Sequence, residues 1–211
     1  VFYTGLYHAL IHPNVLSDVN GEYPAMESAE IRTAEGNRYT VFSLWDTYRN
    51  LHQLLTLVYP ERQLEMVRSM VGMYREWGWL PKWELYGRET FTMEGDPSIP
   101  VIVDTWMKGL RDFDMDAAYE AMRKSATTPG ARNRMRPDID PYIEKGYVPL
   151  GFYARDLSGD NSVSHALEYY IADHALSLLA DSLGKKDDAA LFRARSLGYK
   201  NYYSCLLYTS D

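Results

Sequence analysis

The sequence predicts an all-α protein built from helix pairs. Three observations lead there. Apolar residues recur at three- and four-residue steps in segment after segment. Strand signals are few and short, and tight turns alternate with long polar connectors along the chain. Alternation of that kind suits an antiparallel helical toroid with its long loops on one rim, while a helical repeat array accommodates the same pairs. No period of about 34 or 40 residues recurs, which favours the toroid.

Phe2, Leu6, Tyr7 and Leu10 share one helical face, and Pro13-Asn14 stops that helix. Residues 17–37 are polar and glycine-bearing, an irregular excursion or a short hairpin about Asn20-Gly21. After Thr40, the spacing of Leu44, Tyr48, Leu51, Leu54, Leu55 and Val58 predicts one amphipathic helix that ends before Pro60. Pro60-Glu61 opens the next, with Leu64, Val67, Met70, Val71 and Tyr74 as its buried stripe and Gly78 as its end. Residues 80–98 form a connector, and residues 99–110 a helix apolar on most sides. Asp114 caps the following helix, and residues 127–160 read as a long excursion with little regular structure. Two strong helices remain. One, 162–183, carries Val163, Leu167, Tyr170, Ile171, Leu178 and Leu179 and is closed by Gly184; the other, 187–203, carries Leu191, Phe192, Arg195 and Tyr199.

A length of 211 residues fits one domain or a large piece of one. The net charge of −7 argues against a nucleic-acid partner, which needs clustered Lys and Arg. No apolar run reaches the roughly 18 residues of a membrane span. Cys205 is the single cysteine, so no internal disulfide forms, and no Cys/His grouping has zinc spacing. The chain opens on Val1 without an initiator Met, so its natural start is expected upstream.

Aromatic residues make up 14% of the chain, and two of the five tryptophans are directly followed by a carboxylate: Trp45-Asp46 and Trp83-Glu84. An indole face suits the C–H face of a pyranose, and a carboxylate accepts paired hydroxyls in charge-assisted bonds. Arg49, one turn from Asp46, is placed to pair with it. The plainer reading makes Asp46 a first-turn residue and Trp45 part of the core. Glu89 suits a second sugar contact or half of a surface ion pair. His8 and His12 read as loop or core histidines, Asp104 as a buried structural acid needing a partner. Asp173-His174 reads as solvent-facing, with a central cavity as the alternative. G-x-S-x-G, P-loop and HExxH motifs are absent.

Four segments carry a resemblance: "FYTGLYHALIHPNVLSDVNGEY", "YTVFSLWDTYRNLHQLLTLVYPER", "GWLPKWELYGRETFTMEGDPSIPVIVDTWMKGLRDFD" and "SVSHALEYYIADHALSLLADSLGKKDD". In this order they resemble glycoside hydrolase family 92, exo-acting α-mannosidases of gut Bacteroidetes. The resemblance implies an N-terminal β-sandwich followed by an (α/α)6 toroid with the site between them. Residues 1–203 would be the N-terminal part of that toroid, a partial (α/α)6 fold, with the sandwich and the toroid's C-terminal half missing. The family removes terminal α-linked mannose, often α-1,2, with inversion and a calcium ion. By motif, Asp46 implies a grip on the hydroxyls of the cleaved mannose, with Trp45, Trp83 and Glu84 in the same subsite and Arg49, Glu89 and His8 as neighbours. The proton donor, the base-assisting aspartates and the calcium ligands are expected downstream of Tyr203. This chain would therefore hold no catalytic or metal-binding residue and show no turnover alone. The implied substrate is a mannose-terminated glycan, met in the periplasm, in the medium or at the surface of a bacterium. Residues 204–211 do not continue the family pattern, resemble sequencing-adapter read-through, and are expected to be a non-native tail. Two rivals stay open: another (α/α)6 glycosidase of trehalase or glucoamylase type, and a helical scaffold for protein partners.

Overall fold

The computed structural model describes residues 1–151 and 161–203, which fall into two compact units: 1–93 with 97–124, and 94–96 with the residues from 125 onward. Helices dominate the described residues, accompanied by seven short strands in three small sheets.

The first unit opens with α1 (Phe2–Ala9), none of whose residues is buried. β1 (Asn14–Val15) pairs antiparallel with β4 (Tyr39–Thr40), and β2 (Glu22–Pro24) with β3 (Ile31–Thr33). A hairpin therefore exists where one was expected, but residues 25–30 make its turn. Asn20 has another role: its side-chain oxygen accepts the Glu22 N–H at 3.0 Å and bends the chain into β2.

The single helix expected after Thr40 is three elements: β5 (Phe42–Ser43), α2 (Leu44–Thr47) and α3 (Leu51–Val58). The helix breaks because Asn50 leaves the helical region at φ −156°, and the Gln53 amide donates to the stranded Tyr48 carbonyl at 2.7 Å. α4 (Pro60–Trp77) has proline in its first turn and a left-handed Gly78, φ 92°, after its last, as the sequence predicts. Lys124 Nζ donates to the Gly78 carbonyl at 2.7 Å and lies 4.6 Å from the Trp79 ring centre, a cation at the helix's negative end.

The expected connector is a hairpin. β6 (Trp83–Leu85) and β7 (Arg88–Glu89) are joined by Tyr86 and Gly87 at φ 50° and 81°, a two-residue turn with both centres left-handed. β5 adds to its edge, giving the antiparallel order β5-β6-β7. α5 (Ser98–Met107) buries Ile99, Val101, Ile102, Val103 and Thr105, matching its apolar reading. Asp104 is instead partly exposed and paired with Lys108 at 2.8 Å. α6 (Met115–Thr127) starts as expected, with the Asp114 carboxylate accepting the Ala117 N–H at 3.0 Å.

In the second unit the supposed excursion contains a 3-10 turn, Gly130–Arg132, and α7 (Ile139–Lys145). Residues 152–160 of it lie outside the described residues. α8 (Ser162–Ser182) and α9 (Lys186–Ser196) pack along each other, and Gly184 closes α8 by donating to the Asp181 carbonyl at 3.0 Å. The buried face of α8 matches the expected stripe only at Tyr170 and Leu179. Val163, Leu167, Ile171 and Leu178 are 40–48% exposed, whereas Ala166, Tyr169, Ala172, Asp173, Leu176 and Ala180 are enclosed.

An ion cluster accounts for the reversal. Arg136, wholly buried, donates through Nε to Asp96 at 3.0 Å and through Nη1 to Asp173 at 2.7 Å. The Tyr142 hydroxyl donates to Asp173 at 2.9 Å, the Tyr169 hydroxyl to Asp138 at 2.7 Å and the Ser125 hydroxyl to Asp96 at 2.6 Å. A buried carboxylate needs such partners, so α8 turns its acid-bearing side inward and leaves four aliphatic residues wet. Asp173 is thus neither solvent-facing nor free to line a cavity. The tail 204–211, with Cys205, lies outside the described residues.

Candidate functional site

One indole–carboxylate pair, Trp83-Glu84, lies on β6, and the other, Trp45-Asp46, on α2, which directly follows the strand paired with β6. Across β5 and β6, Phe42 stands opposite Glu84 and Ser43 opposite Trp83. Successive strand residues point to opposite faces, and directly opposed residues share a face with Cβ atoms about 4.5–5.5 Å apart. Ser43 and Trp83 therefore share one face and Phe42 and Glu84 the other, which is sealed: both are 0% exposed. The Ser43 hydroxyl donates to Asp46 in a short hydrogen bond, so Asp46 joins the Trp83 face. Asp46 is itself exposed, in the short helix α2 that follows β5 directly.

Glu84 faces away from this group. Its oxygens accept the Thr40 hydroxyl at 2.8 Å, the Gly87 N–H at 2.5 Å and the Val41 N–H at 3.1 Å. Val41 is β-branched at φ 62°, a conformation such residues rarely hold without outside support. Glu84 supplies that support at the bend between β4 and β5. Glu89, 7% exposed, does the same for its own loop, accepting the N–H groups of Lys82, Trp83 and Phe91 at 2.7–2.9 Å. Burial pushes both carboxyls above their usual range although these hydrogen bonds pull the other way. Expected among the sugar contacts, Glu84 and Glu89 have their oxygens committed to loop backbone. Glu89 is not half of a surface ion pair either.

Arg49 is exposed, its guanidinium 4.6 Å from the Trp45 ring centre and 4.9 Å from that of Tyr48. Trp45 is half-buried, and its indole N–H has no hydrogen-bond acceptor among the described residues. His8 sits exposed in α1 beside Tyr7, ring centres 5.6 Å apart, and no described contact ties it to Asp46 or Trp83.

The sequence reading missed the residues behind Asp46. Thr47 lies 3.1 Å from His52 Nε2, His52 Nδ1 lies 2.9 Å from Gln63 Oε1, and Gln63 Nε2 donates to Thr105 at 2.9 Å. Burial holds the His52 ring down to about 4, so it is neutral at ordinary pH. The available signal was polar residues on an otherwise apolar helical stripe, Thr47 and His52 between Leu44 and Leu55.

Among the described residues no group of three or more His, Cys, Asp or Glu side chains could hold a metal ion. The buried Asp96 and Asp173 already bind the Arg136 guanidinium, so calcium does not fit these residues. No helix among the described residues is long and apolar enough to cross a membrane.

Comparison with known proteins gives a consistent result. The glycosyl hydrolase family 92 catalytic-domain model matches residues 1–205. An uncharacterized secreted glycosidase of Arthroderma benhamiae is 27% identical over 207 residues, covering 96% of this chain and 22% of that protein. The structure of the family GH92 α-mannosidase BT3965 from Bacteroides thetaiotaomicron with mannoimidazole superposes with TM-score 0.84 at 38% identity, covering 94% of this chain and 25% of that one. The inverting mannosidase BT2199 of the same organism gives TM-score 0.83 at 32% identity, covering 96% and 27%. The chain thus spans about a quarter of the length of these relatives.

Proposed function

Because the chain belongs to glycosyl hydrolase family 92, we propose that it is the N-terminal part, residues 1–203, of the (α/α)6 catalytic domain of an exo-acting α-mannosidase. Asp46 and Trp83 form part of its mannose subsite. The carboxylate takes hydroxyls in charge-assisted bonds while the indole supports the C–H face of the ring. Trp45, on α2, and Arg49, just after it, back this pair. The observation that carries the reading is the shared face of Asp46, Ser43 and Trp83 in a chain of this family. Glu84 and Glu89 contribute by holding the two loops that present it.

The full polypeptide releases terminal mannose from α-1,2-linked glycans, and does so with inversion, in line with the inverting mannosidase among its relatives. Inversion requires an acid and a base about 6.5–9.5 Å apart, with a water between them. Those groups, and the ligands of a calcium ion that binds the sugar, come from polypeptide outside this chain. The fungal relative is described as secreted, and we place the enzyme outside the cytoplasm as well.

The test follows sugar release from α-1,2-mannobiose and from an α-glucoside by proton NMR, with calcium and after chelation. β-Mannose appearing first, from the mannoside alone and only with calcium, supports the reading. Turnover of the α-glucoside instead would assign the site to another (α/α)6 glycosidase.

A further inference from the structure

α2 is four residues long and cannot hold itself in place: a helix this short has a costly nucleus and almost no internal hydrogen bonds. Asp46 is therefore only as well placed as the contacts that α2 makes with its surroundings. Leu44 anchors one end apolarly, buried at 0%. The polar anchor is Thr47, the residue after Asp46, and behind it runs a buried chain of side chains. Thr47 meets His52 on α3, His52 meets Gln63 on α4, and Gln63 meets Thr105 on α5. His52, Gln63 and Thr105 are 1%, 0% and 0% exposed.

The proton count along this chain is fixed from its inner end. Thr105 donates its hydroxyl hydrogen to the Val101 carbonyl at 2.8 Å, so it can only accept from Gln63 Nε2. That turns Gln63 Oε1 toward His52, and His52 Nδ1 carries the ring proton. The neutral ring then presents Nε2 as an acceptor. Thr47 has one hydroxyl hydrogen and two acceptors at 3.1 Å, His52 Nε2 and the Ser43 carbonyl. His52 Nε2 thus shares with the Ser43 carbonyl the hydroxyl next to Asp46, with its own tautomer set by α4 and α5.

We infer that His52 is a positioning residue for the mannose subsite: through Thr47 it fixes α2, and with it the Asp46 carboxylate, against the three helices behind. It touches no substrate. The inference rests on the reading of Asp46 as a sugar ligand.

The test uses the full-length polypeptide containing this chain, with α-1,2-mannobiose as substrate and thermal unfolding as a check that each variant is folded. Asp46→Ala is the reference. His52→Asn keeps a donor near the Nδ1 position and loses the Nε2 acceptor; His52→Gln places an amide near Nε2 and can meet Thr47. Thr47→Val removes the hydroxyl alone and carries the test should His52→Asn fail to fold. A loosened ground-state grip raises KM and spares kcat. The expected result is KM raised about three- to tenfold in His52→Asn and Thr47→Val, with kcat within about twofold and KM largely restored in His52→Gln. Unchanged KM in His52→Asn and Thr47→Val, with KM raised in Asp46→Ala, overturns the inference and leaves the subsite reading standing. Equal KM in His52→Asn and His52→Gln also overturns it, reducing His52 to a packing residue. Unchanged KM in Asp46→Ala removes the subsite reading itself, and the inference with it.

Discussion

Ser43 stands directly opposite Trp83 across the β5–β6 pair, and the same serine donates its hydroxyl to Asp46. One residue thereby gathers an indole from β6 and a carboxylate from α2 onto a common face. Removing either partner should weaken the hold on mannose. In the full-length enzyme, Asp46→Ala and Trp83→Ala each raise KM for α-1,2-mannobiose, by about ten- to a hundredfold for the charged group and about tenfold for the ring. Ser43→Ala, which loosens Asp46 without removing it, gives a smaller rise. Steady-state kinetics on the three variants checks the order.

Glu84 should behave differently from its neighbour Trp83. Glu84→Gln puts an amide NH2 among donors, and the N–H groups of Val41 and Gly87 cannot turn away. The expected cost is about 1–3 kcal/mol of stability, read as a lower denaturant midpoint. A variant that keeps its stability but loses affinity for mannoside would return Glu84 to the sugar-binding face.

Acid should destabilise the first unit before its carboxylates do. His52 falls from an ordinary 6.5 to about 4 in the folded chain, so the fold favours the neutral ring. That contribution is fully present above 6.5 and is lost as pH falls from 6.5 through about 4, worth about 3 kcal/mol at most. Glu84 and Glu89, raised by burial, act oppositely: their contribution is present below the ordinary carboxylate value and declines as pH rises through their folded values. Denaturant midpoints between pH 4 and 7 should therefore show a slope that flattens in His52→Asn. An unchanged slope in that variant would assign the pH dependence elsewhere.

In the second unit, Arg136 reaches two carboxylates through different nitrogens of one rigid plane, Nε to Asp96 and Nη1 to Asp173. A lysine ammonium cannot reproduce that fork. Arg136→Lys should cost about 3–5 kcal/mol by stranding one buried acid, measured by chemical denaturation. A loss below about 1 kcal/mol would mean that Arg195, 2.8 Å from Asp173, carries the cluster alone.

The sequence made the long helices legible where periodicity and caps agreed, as at Pro60 and Gly78 around α4 and at Asp114 before α6. It misled where buried polar groups, rather than aliphatic ones, chose the inner face. α8 is the clear case: Val163, Leu167, Ile171 and Leu178 are wet because Asp173 and Tyr169 turn inward onto Arg136. The β5–β6–β7 sheet was hidden for a different reason. Two- and three-residue strands are too short for alternation to register, and the Tyr86-Gly87 turn lies inside a charged, aromatic run. The site was half legible. Asp46 and Trp83 could be picked out by residue type, but strand pairing decides that Glu84 points away from Trp83, and pairing is a long-range fact. His52 acts through Thr47 and leaves no local mark.

The measurement that bears most directly on the whole reading is mannose release from α-1,2-mannobiose by three proteins in parallel: this chain alone, the full-length polypeptide, and its Asp46→Ala variant. The expected result is no turnover by the chain, calcium-dependent turnover by the full-length protein, and a KM raised about ten- to a hundredfold by Asp46→Ala. Mannose release by the chain alone, or an Asp46→Ala variant with unchanged KM, would contradict it.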